Sequence, residues 1–183
     1  MPKLDLLKIV REIQDKLQLD GGDLQQNRLA FDRHGAIAAL PEPCKITPVS
    51  LNEKLTGEWI DARTIVGEAD TVLLYLHGGG FSVGSATSHR QLTAYISRAA
   101  ESSVLSLNYR LTPEHRFPAA LEDTLTAYEW LIAQGYPPQK IAIAGDSAGG
   151  GLAMASLLEI RNRKLPQPGG AVGISPWLDL LCT

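Results

Sequence analysis

The chain has 183 residues, with 44% apolar and 20% charged side chains and a formal net charge of −3. This length corresponds to one domain at about 150 residues per domain, and the composition excludes a disordered, collagen-like or coiled-coil chain. The negative charge gives no electrostatic reason to expect a nucleic-acid partner. The two cysteines, Cys44 and Cys182, form no C-x-x-C pair, which excludes thiolate metal sites and favours free thiols in a reducing compartment.

The N-terminal region reads as helical. Residues 4–17 carry apolar side chains at helical spacing, Gly21-Gly22 ends this helix, and Asp23 is placed to cap a second helix that runs to about Phe31. Charges interrupt the first residues, so we expect no signal peptide. Apolar runs reach only about five residues, against the about 20 that a membrane span needs. We therefore expect a cytoplasmic protein without a membrane span.

Beyond the N-terminal region, strands and helices alternate. The predicted elements are a hairpin of strands 45–51 and 56–61, a strand over 71–76, a helix over 88–101, a strand over 104–109, a helix from Pro118, a strand over 141–145, a helix over 148–164 and a strand over 171–175. The helix over 88–101 is predicted to carry Leu92, Ile96 and Ala99 on one face. This alternation with apolar strands predicts a parallel sheet that is buried on both faces. Ligands of such sheets bind beyond the carboxyl ends of the strands.

Two glycine-rich segments follow predicted strands at that end of the sheet. The second of them, residues 145–151, fits the pattern G-x-S-x-G at a strand-to-helix junction. Such a tight turn leaves no room for side chains two residues before and after Ser147, which explains Gly145 and Gly149. The strained turn is expected to project the Ser147 hydroxyl away from the sheet, at a helix N-terminus that favours developing negative charge.

The first segment, residues 77–81, supplies what acyl transfer needs besides a nucleophile. The tetrahedral oxyanion requires backbone N–H donors, and glycine lets main-chain amides approach closely. We expect the amides of Gly78, Gly79, Gly80 and Ala148 to be these donors. A phosphate-binding loop is the competing interpretation, but the sequence contains neither G-x-G-x-x-G nor a Walker pattern.

Taken together, four segments resemble one family. Residues 77–81 and 145–150, with 109–120 and 175–180, are similar to the corresponding loops of the hormone-sensitive-lipase-like esterases of the α/β-hydrolase fold. The resemblance covers the chain from about residue 57 to its end. Residues 57–60 are also reminiscent of a subgroup that hydrolyses monoterpene lactones, which is weaker evidence.

The resemblance implies an α/β fold with a mostly parallel sheet flanked by helices. Residues 1–44 would form an N-terminal helical cap that shapes an acyl pocket, and residues 45–183 the hydrolase core. The implied activity is hydrolysis of short-to-medium acyl esters or lactones through an acyl-enzyme, without cofactor or metal. Its partner would be a small-molecule ester or lactone, and a homo-oligomer is left open.

The resemblance also assigns roles to individual residues. It makes Ser147 the nucleophile and Phe81 a substrate-binding residue. The implied oxyanion donors are Gly78, Gly79, Gly80 and Ala148, and the implied supporting residues are His77, Asp146, Gly145 and Gly149.

The family's acid and base have no counterpart in this sequence. In this fold the triad runs Ser, then Asp or Glu, then His along the chain. After Ser147 the only carboxylates are Glu159 and Asp179, both unsuitably placed, and no histidine follows. We therefore expect a C-terminally truncated hydrolase that lacks the last strands and helices and is inactive or nearly so. Two alternatives stay open: a hydrolase-like ligand-binding receptor, and a fragment that folds only with a partner.

All four histidines precede the serine. His77 is the best upstream candidate for a base, although the family pattern makes it a buttress of the oxyanion loop. His115 is expected in a loop hydrogen-bond network, and His89 and His34 on a helix surface or in the cap.

Overall fold

The computed structural model describes residues 23–37, 39–65, 67 and 71–179, so the predicted helix over 4–17 lies outside the described residues. The elements in chain order are helix α1 (Leu24–Ile37), strands β1 (Lys45–Ser50), β2 (Thr56–Asp61) and β3 (Val72–Leu76), helix α2 (Arg90–Ala100), strand β4 (Ser103–Asn108), helix α3 (Ala119–Ala133), a short 3-10 helix (Pro138–Lys140), strand β5 (Ile141–Asp146), helix α4 (Ser147–Asn162) and strand β6 (Gly170–Ile174). None of the described helices is long and apolar enough to cross a membrane.

The six strands form one sheet in the order β1-β2-β4-β3-β5-β6. Strand β2 pairs antiparallel with both β1 and β4, and the remaining pairs are parallel. The predicted hairpin is present because the Asn52 side chain accepts the N–H groups of Lys54 and Leu55 at 2.9 and 2.8 Å and closes the turn. The prediction of a mostly parallel sheet flanked by helices is confirmed.

Two apolar clusters cover the sheet, one on each face. The larger joins Leu74, Leu105 and Ile143 to α3 and α4, and the smaller joins Tyr75 and Val104 to α2. The central strands are therefore buried on both faces, as their apolar sequences predict. Strand β6 departs from this prediction, because it pairs only with β5 among the described residues and α4 covers one of its faces. Its Val172 is 54% exposed and its Ile174 is 38% exposed.

Helix α2 packs on the sheet only partly through the apolar face that its sequence predicts. The buried residues are Thr93, Ala94 and Ser97, and Ile96 is half-buried against the smaller apolar cluster. Leu92 on the same apolar face is 39% exposed. The Ser97 hydroxyl accepts the Ala62 N–H at 3.0 Å, so a small polar side chain serves the contact with β2 better than a bulky apolar one.

Helix α1 extends beyond Phe31, where we expected it to end, to Ile37. Its last turn contains Gly35, which lies directly against the backbone of Ser88. A Cβ at position 35 would lie 2.4 Å from Ser88 Cα. This close tertiary contact stabilises the extra turn, although glycine itself disfavours a helix interior.

Candidate active site

The turn that carries Ser147 contains no loop residue. Strand β5 ends at Asp146 and helix α4 begins at Ser147. The φ angle of Ser147 is 51°, in the left-handed region that residues other than glycine rarely adopt. Ser147 is exposed, and its hydroxyl makes no hydrogen bond to any residue that the structure describes. The turn thus presents a free hydroxyl at the N-terminus of α4 and at the carboxyl end of the sheet.

Both flanking glycines are required by close backbone contacts. A Cβ at position 145 would lie 2.4 Å from the carbonyl carbon of Gly149, and a Cβ at position 149 would lie 2.0 Å from the Leu76 carbonyl oxygen. Real Cβ atoms do not approach other atoms so closely. The sharp turn around Ser147 therefore depends on glycine at 145 and 149.

Asp146 connects this turn to the glycine-rich segment 77–81. Its Oδ1 accepts hydrogen bonds from the Tyr75 hydroxyl at 2.8 Å and from the Gly78 N–H at 2.9 Å, and lies 3.4 Å from His89 Nε2. Burial would raise the pKa of Asp146, but the contacts from His89, Tyr75 and Gly78 outweigh burial and lower it. Burial first, and then the Asp146 charge, raise the pKa of Tyr75. An ionised carboxylate therefore fixes the position of Gly78.

This contact corrects one predicted role. Because the Gly78 N–H already donates to Asp146, it is not available for an oxyanion. The amides of Gly79, Gly80 and Ala148 make no hydrogen bond to any described residue. Gly79 and Gly80 have φ angles of 119° and 59°, which are accessible to glycine at little cost. Of the four predicted oxyanion donors, the amides of Gly79, Gly80 and Ala148 therefore have no acceptor among the described residues.

His77 is a buried part of the loop. Its Nδ1 lies 2.8 Å from the Gly78 carbonyl oxygen, so Nδ1 carries the proton, and the buried Nε2 has no partner among the described residues. Burial lowers the pKa of His77 to about 4. The Tyr109 ring stacks on the His77 ring with centroids 4.3 Å apart, and the Tyr109 hydroxyl donates to the His77 carbonyl at 2.6 Å. A neutral ring held in this way fits a buttress better than a base.

The side chains of His89 and His115 lie in two different environments. The expectation of a surface position for His89 is wrong, because its side chain is 13% exposed and bridges Ser88 Oγ, 2.8 Å from Nδ1, to Asp146. His115 is exposed, and its side chain makes no hydrogen bond to any described residue. The expected network therefore does not include the His115 ring. The side chain of His34 lies outside the described part of the chain.

An apolar cavity of about 290 Å³ lies beside the first turns of α4. Its walls come from the glycine-rich loop, the start of α3, one side of α4 and the segment after β6. The lining residues are Phe81, Phe117, Ala120, Leu121, Gly151, Leu152, Met154, Ala155, Leu158, Trp177 and Leu178. Phe81, the predicted substrate-binding residue, has its ring centroid 6.5 Å from that of Trp177. The cavity is thus connected through Phe81 to the loop that carries the free amides.

Two side chains at the site were missed by the sequence reasoning. Tyr75 looked like one more apolar residue of its strand, although a hydroxyl two positions before His77 on an alternating strand was an available signal. Arg28 gave no local signal, because its partners Ser82 and Thr112 lie 54 and 84 residues away along the chain. Among the described residues, no group of three or more His, Cys, Asp or Glu side chains is arranged to hold a metal ion.

Comparison with known proteins decides the family. Residues 73–183 match the model of a family that has the alpha/beta hydrolase fold. The chain belongs to this alpha/beta hydrolase family. The acetyl-hydrolase of Streptomyces hygroscopicus is 42% identical over 183 residues, which cover 99% of this chain and 58% of that protein. The carboxylesterase/phospholipase LipF of Mycobacterium tuberculosis is 46% identical over 114 residues, which cover 61% of this chain and 30% of LipF.

Solved structures of other alpha/beta hydrolases agree with this assignment. A crystal structure of an esterase from the bacterial hormone-sensitive lipase family superposes with a TM-score of 0.85 at 38% identity, covering 96% of this chain and 58% of the esterase. The resemblance to hormone-sensitive-lipase-like esterases that the sequence motifs predicted is confirmed. The chain spans less than two thirds of the length of these relatives.

Proposed function

We propose that the chain carries the nucleophile side of a carboxylic-ester hydrolase site, with Ser147 as the nucleophile. The observation that carries this proposal is the exposed Ser147 hydroxyl on a left-handed turn, next to a loop with free backbone amides. Names of relatives add support: an acetyl-hydrolase, a carboxylesterase/phospholipase and, from Pseudomonas putida, an ethyl acetate hydrolase that is 34% identical to this chain.

The reaction follows from the geometry. The Ser147 oxygen attacks the ester carbonyl carbon, and the carbonyl electron pair moves to the oxygen to give a tetrahedral oxyanion. The amides of Gly79, Gly80 and Ala148, with the positive end of the α4 dipole, would stabilise that charge. The Ser147 proton would pass to a base outside the described residues, which would give it to the alcohol oxygen as the oxyanion collapses and the C–O bond to the alcohol breaks. Water would then attack the resulting acyl-serine, release the carboxylic acid and return a proton to the Ser147 oxygen. Losing one such donor commonly costs about 10²–10³ in rate.

The described residues do not supply a general base to this serine. No described histidine contacts Ser147, and the neutral His77 is held by its own loop. A serine hydroxyl without an adjacent base is a weak nucleophile. We therefore propose that the 183 residues alone hydrolyse esters slowly at best, and that rapid turnover needs an acid and a base from outside them.

The cavity beside α4 supports an apolar substrate group. None of its eleven lining residues is charged, and a volume of about 290 Å³ holds a short-to-medium acyl chain. Phe81 joins this cavity to the free amides, so an acyl chain in the cavity would place its carbonyl near Ser147. We propose short-to-medium acyl esters or lactones as the substrate class.

The proposal is tested by labelling with a fluorophosphonate probe, whose phosphorus accepts a serine oxygen and releases fluoride. The chain is incubated with the probe, with and without imidazole as an added base, and the modified residue is identified by peptide mass mapping. We expect a single label on Ser147, formed faster when imidazole is present.

Two variants provide the controls. Ser147→Ala is expected to abolish the label. Ser175→Ala is the matched control, because Ser175 is also an exposed serine with a positive φ, of 45°, at the end of a strand, and its loss is expected to leave the labelling unchanged. A label spread over several serines, or no label on Ser147 at any imidazole concentration, would refute an activated nucleophile and favour a binding module.

A further inference from the structure

Helix α1 contacts Ser82, the residue that follows the glycine-rich segment 77–81, through Arg28. Arg28 Nε donates to the Ser82 carbonyl at 2.8 Å, and its Nη2 donates to the Thr112 carbonyl at 2.8 Å. Both terminal nitrogens also donate to the Glu114 carboxylate, each at 2.8 Å. The Arg28 side chain is only 19% exposed. One guanidinium therefore joins the loop around Ser82 to the loop around Thr112.

These two loops are also joined directly. The Thr112 N–H donates to the Phe81 carbonyl at 2.8 Å, and the Thr112 hydroxyl donates to the same oxygen at 3.1 Å. The side-chain hydrogen bond from Arg28 is the main cause that lowers the pKa of Glu114 to about 2. Glu114 is therefore ionised at neutral pH, and the contact is a charge-assisted fork of the kind that fixes geometry as well as charge.

The glycine-rich loop is held at both ends of its free segment. The Gly78 N–H donates to the Asp146 carboxylate, and the Ser82 carbonyl accepts from Arg28. Between them lie Gly79 and Gly80, whose amides have no acceptor among the described residues. Glycines have wide conformational freedom, so two adjacent glycines in a loop need fixed flanks to keep their N–H groups in one orientation.

A second contact of α1 supports the same attachment. The Ser85 hydroxyl donates to Asp32, one turn along α1 from Arg28, and Gly35 lies against the Ser88 backbone. The helix thus contacts the segment that follows the loop at Arg28, Asp32 and Gly35. The Arg28 side chain donates to the Ser82 carbonyl, two residues after Gly80.

We propose that Arg28 is a positioning residue, which holds Gly79 and Gly80 in the orientation that receives the oxyanion by linking Ser82 to Thr112. This inference rests on the proposed function of Ser147, since it gives α1 a part in the reaction. Arg28 does not touch the reacting atoms, so its effect is on the limiting rate of the reaction and not on the affinity for the reagent.

The first test measures the loop without any chemistry at Ser147. Amide hydrogen exchange of the chain is followed by mass spectrometry in Arg28→Ala, in Arg28→Lys and in the control Arg33→Ala. Arg33 is exposed on the same helix, and its side chain makes no hydrogen bond to a described residue. In the peptide that spans residues 79–84, the N–H groups of Ser82 and Val83 donate to the Gly79 carbonyl. We expect these two amides to exchange about ten- to a hundredfold faster in both Arg28 variants, the range for a lost hydrogen bond to a charged group. Lysine fails because one ammonium cannot span three acceptors.

The second test measures the limiting rate and the half-saturating concentration of Ser147 labelling by the fluorophosphonate probe. We expect Arg28→Ala to lower the limiting rate at least tenfold with the half-saturating concentration unchanged, and millimolar methylguanidinium to restore much of the rate. Arg33→Ala is expected to react like the unchanged chain. Rescue by a small guanidinium distinguishes positioning from a general loss of folding.

The outcomes separate this inference from the proposed function. If the unchanged chain does not label at Ser147, the proposed function fails, while the exchange experiment still decides whether Arg28 holds the loop. If the unchanged chain labels and Arg28→Ala labels at the same limiting rate, the inference is overturned. The inference is also overturned if Arg28→Lys leaves amide exchange over residues 79–84 unchanged. This variant is used because it keeps the positive charge and the approximate size of the side chain, so the fold is expected to be retained.

Discussion

Removing the Asp146 carboxylate is the sharpest test of how the nucleophile turn and the glycine-rich loop are joined. In Asp146→Ala, the Tyr75 hydroxyl and the Gly78 N–H both lose their acceptor. Tyr75 is fully buried, so its hydroxyl cannot turn to bulk water. The variant therefore leaves two donors unsatisfied, and this is more costly than the mere loss of two exposed hydrogen bonds.

The expected magnitude follows from the number of donors. An unsatisfied buried donor costs about 1–3 kcal/mol, so Asp146→Ala should lower the free energy of unfolding by about 2–6 kcal/mol. If Tyr75 is first changed to Phe, one of the two donors no longer exists. The same Asp146→Ala change should then cost about 1–3 kcal/mol, which gives a coupling energy of about 1–3 kcal/mol between the two positions.

The assay is a double-mutant cycle by urea denaturation, followed by fluorescence of the three tryptophans. The four proteins are the unchanged chain, Asp146→Ala, Tyr75→Phe and the double variant. We expect Tyr75→Phe alone to cost less than Asp146→Ala, because it leaves the carboxylate with its other contacts. Additive costs, with a coupling energy near zero, would refute the claim that Tyr75 depends on Asp146 as its acceptor.

Two further predictions concern the same region. Because burial lowers the pKa of His77 from 6.5 to about 4, the unfolded chain binds this proton at a higher pH than the folded chain does. The His77 contribution to the free energy of unfolding is therefore fully present above about pH 6.5 and falls by up to about 3 kcal/mol as the pH drops to 4. Denaturation curves across this window should show a flatter pH dependence in His77→Gln, and an unchanged slope would contradict a buried, neutral His77. Gly149→Ala should cost about 3 kcal/mol or more because its Cβ would meet the Leu76 carbonyl, whereas Gly170→Ala, with nothing within 4 Å of its Cβ, should be nearly neutral by the same measurement.

The nucleophile turn could be predicted because its sequence pattern is local. Gly145, Ser147 and Gly149 lie within five residues, although the atoms that leave no room for a Cβ at position 149 belong to the neighbouring strand β3, at the Leu76 carbonyl. The alternation of strands and helices was likewise readable from apolar spacing alone. Element order and the site of the nucleophile therefore follow from short stretches of sequence.

What could not be predicted depends on contacts between distant segments. Arg28 donates a hydrogen bond to the Thr112 carbonyl, 84 residues away along the chain, and no sequence pattern around either residue predicts this contact. The apolar spacing of α2 did not show that small polar residues such as Ser97 are buried, because such residues bury well when hydrogen-bonded to a distant segment. Gly78 was taken for an oxyanion donor because the sequence does not show that Asp146 already accepts its amide.

The most direct test of the central claim is turnover of p-nitrophenyl butyrate by the 183-residue chain, with its intact mass verified. We predict hydrolysis that depends on Ser147, is lost in Ser147→Ala, and exceeds the uncatalysed reaction by no more than about 10³–10⁴-fold, the level left when a triad member is absent. Turnover of about 1–10³ per second, as in typical enzymes, would contradict the claim that the described residues supply no base to Ser147. Slow hydrolysis that Ser147→Ala leaves unchanged would contradict the claim that Ser147 is the nucleophile.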